Sequence, residues 1–240
     1  MLKEADMRVM AIGAHPDDLE ILCAGTLARY VAEGHAVTMC HIARGDRGSY
    51  EHTREEIATI RDGEARRAAE LIGAEYLALG VADGEVNASD PGQREIVAEA
   101  VRVARPDVVL AHAPNDYMTD HVEASRLALD SSFLATLPLF ETESPHLENV
   151  PALAYMETVT GNDFVPTEFV DISGFIETKL TMLSKHESQL RWLADHDGVD
   201  MLDQIRTVSR FRGLQCGVEY AEGFIPCNVW LRARANRFLP

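Results

Sequence analysis

The chain has 240 residues, 46% of them hydrophobic and 25% charged, the balance of an ordinary globular protein and not of a disordered or fibrous one. Its 22 Lys and Arg against 39 Asp and Glu leave a formal net charge of −17. That charge argues against nucleic acid and against an anionic membrane surface as partners, because both recruit clustered basic residues.

A short apolar run at 7–13 ends at a glycine and predicts a buried strand. Residues 19–33 place Leu19, Leu22, Cys23, Leu27, Tyr30 and Val31 on one stripe before Gly34, which predicts a helix with a C-terminal glycine. A strand over 36–42, a long helix from about 53 to 72 stopping at Gly73, a strand over 75–79 and a helix over 93–104 follow. Next come a strand over 107–112 and a helix over 121–134. Beyond residue 136, Pro138, Pro145, Pro151 and Pro166 punctuate a looser region with one strand expected over 152–160. Helices are expected over 172–195 and 199–212, and a late strand in FIPCNVWLRA at 224–233. This alternation predicts an α/β fold, a single three-layer Rossmann-like domain over 1–240 with a mostly parallel sheet. No Gly-, Ser- or charge-rich linker divides it.

Other features narrow the class. Cys23, Cys40, Cys216 and Cys227 lie far apart with no C-x-x-C pair, so neither a disulfide framework nor a cysteine zinc site is expected. No apolar run approaches the roughly 20 residues of a bilayer span. The N-terminus reaches carboxylates too early for a secretory leader, and a cytoplasmic protein is expected.

In an open parallel sheet, ligands bind at the carboxyl ends of the strands. Polar residues unusual for a core gather in four loops there: AHPDDLE at 14–20, RGDRG at 44–48, GVADG at 80–84 and APNDYMTDH at 113–121. His15 and Asp18 stand three apart at a strand-to-helix turn, where both side chains can reach one cation while Asp17 stays free beside it. His121, preceded by Asp120 at the head of another helix, is a natural third ligand. Two imidazoles and one carboxylate leave a coordination position open, the pattern of catalytic zinc. A dinucleotide site is excluded, because no G-x-G-x-x-G follows the first strand. Each residue alone has a plainer reading. Asp17, Asp18 or Asp120 can cap a helix, and His41, His112 and His186 can be ordinary core histidines.

The AHPDDLE loop resembles the HPDD signature of the LmbE-like, or PIG-L-like, zinc deacetylases. The segments RGDRG at 44–48, IRDGEARRAAELIGA at 60–74, KLTMLSKHESQ at 179–189 and RGLQCGVEYAEGF at 212–224 are similar to the same family, in order. The resemblance implies one zinc ion per chain on His15, Asp18 and His121, with Asp17 as general base toward the attacking water. It implies that Asp120 supports a neighbouring histidine, that Arg61 and Asn115 contact substrate, and that Asp46 binds a sugar hydroxyl. The implied reaction is removal of an N-acetyl group from an N-acetylglucosamine-type sugar or conjugate, by a homo-oligomer. One departure stands out: the family's H-P-D-H reads Met118-Thr119-Asp120-His121 here. A thioether is only a weak acceptor, so Tyr117 is the candidate to supply the missing hydrogen bond. Two other readings share the metal site: a zinc amidase of a thiol-sugar conjugate, and a non-catalytic zinc-bound carbohydrate-binding relative.

Overall fold

The computed structural model describes residues 7–233. The ends of the 1–240 domain, including the six N-terminal residues on which the leader expectation rests, lie outside the described residues. Strands β1 (Arg8–Gly13), β2 (Ala36–Ala43), β3 (Glu75–Val81), β4 (Val108–Ala111), β5 (Ala152–Met156), β6 (Glu168–Asp171) and β7 (Ala221–Pro226) form one sheet in the order β3-β2-β1-β4-β5-β7-β6. The five strands β1 to β5 are mutually parallel; β7 runs antiparallel to both β5 and β6.

Side chains alternate across the sheet, so each central strand feeds two cores. Val9 and Ala11 of β1 and Val37 and Met39 of β2 pack on one face; Met10, Ile12, Cys40 and Ile42 pack on the other. The first face is covered by α1 (Asp18–Leu22), α2 (Ala24–Ala32), α3 (Arg54–Ile72), α6 (Ile176–Leu183), α7 (Glu187–Asp197) and α8 (Met201–Cys216). The second is covered by α4 (Pro91–Ala104) and α5 (Thr119–Leu134). This is the three-layer α/β domain that the sequence predicts. Among the described residues, no helix is long and apolar enough to cross a membrane.

Local chemistry sets the boundaries. Helix α3 opens on a capping box, in which Thr53 accepts from the Glu56 amide and Glu56 accepts from the Thr53 amide, and it closes on Gly73 at φ 78°. Helix α4 starts earlier than predicted because Asp90 caps it, with Pro91 in its first turn. The helix expected over 19–33 is two helices. At Cys23 the backbone breaks, and the buried Glu222 carboxylate from β7 accepts from the amides of Gly25 and Thr26 at 3.0 and 2.7 Å. Gly25 packs directly on Ile172, where a Cβ would come within 2.8 Å.

The C-terminal third corrects the expectations most. The helix over 172–195 divides at 184–186, because Glu64 of α3 accepts from the amide and hydroxyl of Ser188 and starts a new helix there. Strand β5 stops at Met156, where Glu157 turns aside to pair with the buried Arg212 at 2.6 Å. The short strand β6, four residues just after Pro166 and Thr167, is not predicted at all. The late strand runs over 221–226 instead of 224–233. Its first half pairs with β6, and residues past Pro226 leave the sheet.

One ion pair ties these parts together. Lys179 of α6 donates to Glu222 at 2.5 Å, and both side chains are buried. Removing one member of such a pair strands the other in a dry interior. Lys179→Met is therefore expected to destabilise the fold by about 3–5 kcal/mol, measured by urea unfolding. A loss below about 1 kcal/mol would show that Glu222 needs only the Gly25 and Thr26 amides.

Candidate functional site

At the carboxyl end of β1 the chain turns sharply. Asp17 has φ 121°, a region that residues with side chains rarely adopt and that costs on the order of 1–3 kcal/mol. Asp17 is the N-cap residue of α1, but its side chain makes no capping hydrogen bond. Its Oδ1 faces the buried Arg61 guanidinium at 3.3 Å, and Arg61 also donates to the Pro16 carbonyl at 2.5 Å. Arg61 can lie there because residue 45 is glycine: a Cβ at Gly45 would sit 2.5 Å from Arg61 Nε. Burial pushes the Asp17 pKa up to about 6, with Arg61 acting in the opposite direction.

Asp18 is the centre of the cluster. Its Oδ2 accepts from the His15 amide at 2.6 Å and lies 3.6 Å from His15 Nδ1; its Oδ1 lies 3.3 Å from His121 Nε2. Burial opposes its charge, but His121 and His112 hold the carboxyl well below the usual range. Each candidate ligand imidazole is held from behind by a second carboxylate. His15 Nε2 donates to Asp120 at 3.0 Å, and His121 Nδ1 donates to Asp116 at 3.0 Å. That pairing leaves His15 Nδ1 and His121 Nε2 to face Asp18. Burial works against charge on both rings, yet the carboxylates outweigh it and raise His15 to about 9 and His121 to about 10.

Donor atoms of His15, Asp18 and His121 all lie within 4.8 Å of one another, and the same holds for His112, Asp116 and His121. The first triple fits a divalent cation better. His121 Nε2 is buried with no hydrogen-bond partner among the described residues, and a second carboxylate already orients each imidazole, the arrangement usual behind metal-bound histidines. In the second triple Asp116 is engaged by His121, and His112 Nε2 accepts from the Ala14 amide.

The first triple also faces open space. A cavity of about 560 Å³ is lined by His15, Asp17, Asp18 and His121 at its floor, with Arg61 and Asp83 beside them. Tyr117, Met118, Trp192 and His196 line it as well, and neither His112 nor Asp116 does. Its position is where β1 departs toward β2 on one side and β4 lies on the other, the crevice at which open α/β sheets bind ligands.

The model of the PIG-L family, GlcNAc-PI de-N-acetylase, matches residues 10–132, which include all four loops. A diacetylchitobiose deacetylase from Thermococcus kodakarensis is 30% identical over 91% of this chain and 83% of its own length. The chain belongs to the PIG-L family. Among solved structures, N,N'-diacetylchitobiose deacetylase from Pyrococcus horikoshii, complexed with its inhibitor MPG, is 27% identical with a TM-score of 0.80, covering 92% of this chain and 84% of that one. GalB, the 4-carboxy-2-hydroxymuconate hydratase of Pseudomonas putida KT2440, has a TM-score of 0.82 at 22% identity, covering 98% of this chain and 100% of that one. That last likeness is one of fold alone, and it shows that this fold serves more than one reaction.

Within this PIG-L chain, the residues singled out by sequence fall into three groups. His15, Asp17, Asp18 and His121 converge on the cavity floor, with Asp120 behind His15 and also accepting from the Gly84 amide at 2.6 Å. Asp120 lies inside the first turn of α5 and caps nothing. Arg61 braces Asp17 and reaches the cavity wall, and Tyr117, 66% exposed, stands at the rim. Two residues stand outside the cavity lining. Asp46 is 1% exposed and does not reach the cavity; its carboxylate accepts from Arg44, Arg54 and the Asp83 amide. Asn115 points away, donating to the Asp163 carbonyl at 2.7 Å. His41 is a core histidine, pushed down to about 4 by burial.

Sequence reasoning missed Asp116 and Asp83. Asp116 holds His121, and its five-residue lead over that histidine in the fourth loop is the signal that points to it. Asp83 accepts from the Gly45 and Arg47 amides and so clamps the second loop to the third. Gly45, at φ 71°, makes room for Arg61 and takes a backbone shape that alanine resists. Gly45→Ala is expected to lower stability by about 1–3 kcal/mol, read from denaturant unfolding. A neutral result would mean that Arg61 relocates freely.

Proposed function

We propose that this chain is a zinc-dependent hydrolase that removes the acetyl group from an N-acetylated amino sugar or its conjugate, with one zinc ion per chain. The observation that supports this best is the open cavity whose floor joins two oriented imidazoles, one carboxylate and a second buried carboxylate. His15 Nδ1, Asp18 and His121 Nε2 are the atoms that would hold the ion, a nitrogen and oxygen set that suits zinc. The bound ion supplies Lewis acidity, polarising the amide carbonyl and making water easier to deprotonate.

The chain's own residues do the rest. Asp17 takes a proton from the attacking water and passes it to the departing amine, so that amide and water become amine and acetate. Arg61 holds Asp17 in place from one oxygen. Asp120 and Asp116 fix the tautomers of His15 and His121. Met118 lines the cavity but donates nothing, so the hydrogen bond to the developing oxyanion falls to Tyr117 at the rim. The Thermococcus and Pyrococcus deacetylases act, by their names, on diacetylchitobiose, which is consistent with an amino-sugar substrate.

The test is acetate release from N-acetylglucosamine and N,N'-diacetylchitobiose by zinc-loaded protein. Release of a larger acyl fragment from a thiol conjugate would favour an amidase, and absence of turnover a carbohydrate-binding relative. Elemental analysis should find zinc near one per chain, lost in His15→Ala, Asp18→Ala and His121→Ala, and bound about 10–100-fold more weakly in Asp116→Asn. Asp17→Asn should keep fold and metal while losing about 10²–10⁴ in rate; near-native turnover would remove Asp17 from the mechanism. Tyr117→Phe should lower kcat and kcat/KM together if its hydroxyl acts in the transition state. A silent Tyr117→Phe would reduce that residue to an aromatic wall.

A further inference from the structure

The junction of α6 and α7 carries His186, Ser188 and Gln189, and none of the three stands on the cavity floor. Each grips a different part of the fold. His186 Nε2 lies 3.3 Å from Glu20 Oε1 on α1. The Ser188 amide and hydroxyl donate to the two oxygens of Glu64 on α3, at 2.8 and 2.6 Å. Gln189 donates at 3.3 Å to the carbonyl of Gly48, in the loop whose Gly45 makes room for Arg61.

The two glutamates stand in matching places. Glu20 follows Asp17 by three residues at the start of α1, and Glu64 follows Arg61 by three residues on α3. That spacing is about one helical turn, so each glutamate lies beside the residue it follows. The Asp17 carbonyl accepts from the Ile21 amide at 3.0 Å, so Asp17 moves with α1. All five groups, His186 included, are buried. Neither the Glu20 carboxylate nor the His186 ring has another hydrogen-bond partner among the described residues. Burial opposes charge on both, yet His186 holds Glu20 below its ordinary value, and Glu20 raises His186, with Asp17 adding to the effect. A buried ion pair adds little stability over well-packed apolar side chains, which points to a role in placement.

Asp17 is the residue that needs placing. A backbone at φ 121° persists only where its surroundings over-determine it. Among the described residues the Asp17 side chain has one hydrogen bond, from Arg61 at 3.3 Å. We propose that His186, with Ser188 beside it, is a positioning residue for the general base: through Glu20 and Glu64 the α6–α7 junction locks the two helices that set Asp17 against Arg61. The proposal rests on the reading of Asp17 as the base only for its effect on rate. The placement itself is a property of the fold.

Two measurements test it. In crystals of His186→Leu, Asp17 should leave φ 121° and part from Arg61, while His186→Gln, which can still donate to Glu20, should keep both. In acetate release from N-acetylglucosamine, His186→Leu should lower kcat about 10–100-fold, with KM and zinc content near those of the parent protein. His186→Gln should recover most of that loss. In an Asp17→Asn background the same His186→Leu change should cost less than about twofold, because the group it places is gone. Ser188→Ala removes one hydrogen bond and serves where His186→Leu fails to fold. It should displace Asp17 in the same way and lower kcat severalfold, again only while Asp17 is present. An Asp17–Arg61 pair unmoved in both variants, or a rate loss of the same size in the Asp17→Asn background, would overturn the proposal. Should the parent protein release no acetate while Asp17 still parts from Arg61 in His186→Leu, the deacetylase reading fails and the positioning stands.

Discussion

Asp18 sits at the switch point of the sheet, where the chain leaves β1 toward β2 and where β4 lies on the opposite side. Its two oxygens contact the His15 amide, His112 at the end of β4 and His121 on α5. A single carboxylate therefore joins segments more than ninety residues apart in the chain. If that anion moved, the contacts that face the two imidazoles from the front would be lost, although Asp120 and Asp116 still hold them from behind. His121 would lose the group its Nε2 faces, and the first loop would lose the acceptor that closes its turn.

Around this centre the loops are laced by carboxylates that accept backbone amides. Asp46 accepts from Asp83, Asp83 from Gly45 and Arg47, and Asp120 from Gly84 while it also holds His15. Each bond crosses from one loop to another, so the four loops behave as one body although the sheet holds only their ends. The arrangement concentrates negative charge with Arg61 as the buried guanidinium against Asp17. The carboxylates facing His15 and His121 favour the protonated rings, which supply balancing positive charge.

Much of this was legible in the sequence because most elements of the first 135 residues follow local rules. Helices α3 and α4 open on Thr53 and Asp90, α3 stops at Gly73, and the central strands β1 and β2 are apolar runs. The loops follow the strands directly, so the spacing of His15, Asp18 and His121 translates into proximity once the sheet is assumed. The rest depended on distant partners. The break at Cys23 is made by Glu222, two hundred residues away, and the break at 184–186 by Glu64 on another helix. Neither leaves a local mark. Asp46, which the resemblance implies as a sugar-hydroxyl contact, has its oxygens engaged by Arg44, Arg54 and the Asp83 amide, partners that no local pattern announces. Met118 is legible at once as a missing donor, yet the contact of Tyr50 with Trp192 on α7 is not, since the two rings come from segments that meet only in three dimensions.

The twisted backbone at Asp17 has a further consequence. Glycine is the residue that relaxes φ 121° without steric cost, so the substitution that most relieves this turn is also the one that deletes the carboxylate. Asp17→Gly would relieve the backbone but leave the buried Arg61 guanidinium without the carboxylate it faces, so the strain at this turn and the ion pair pull stability in opposite directions.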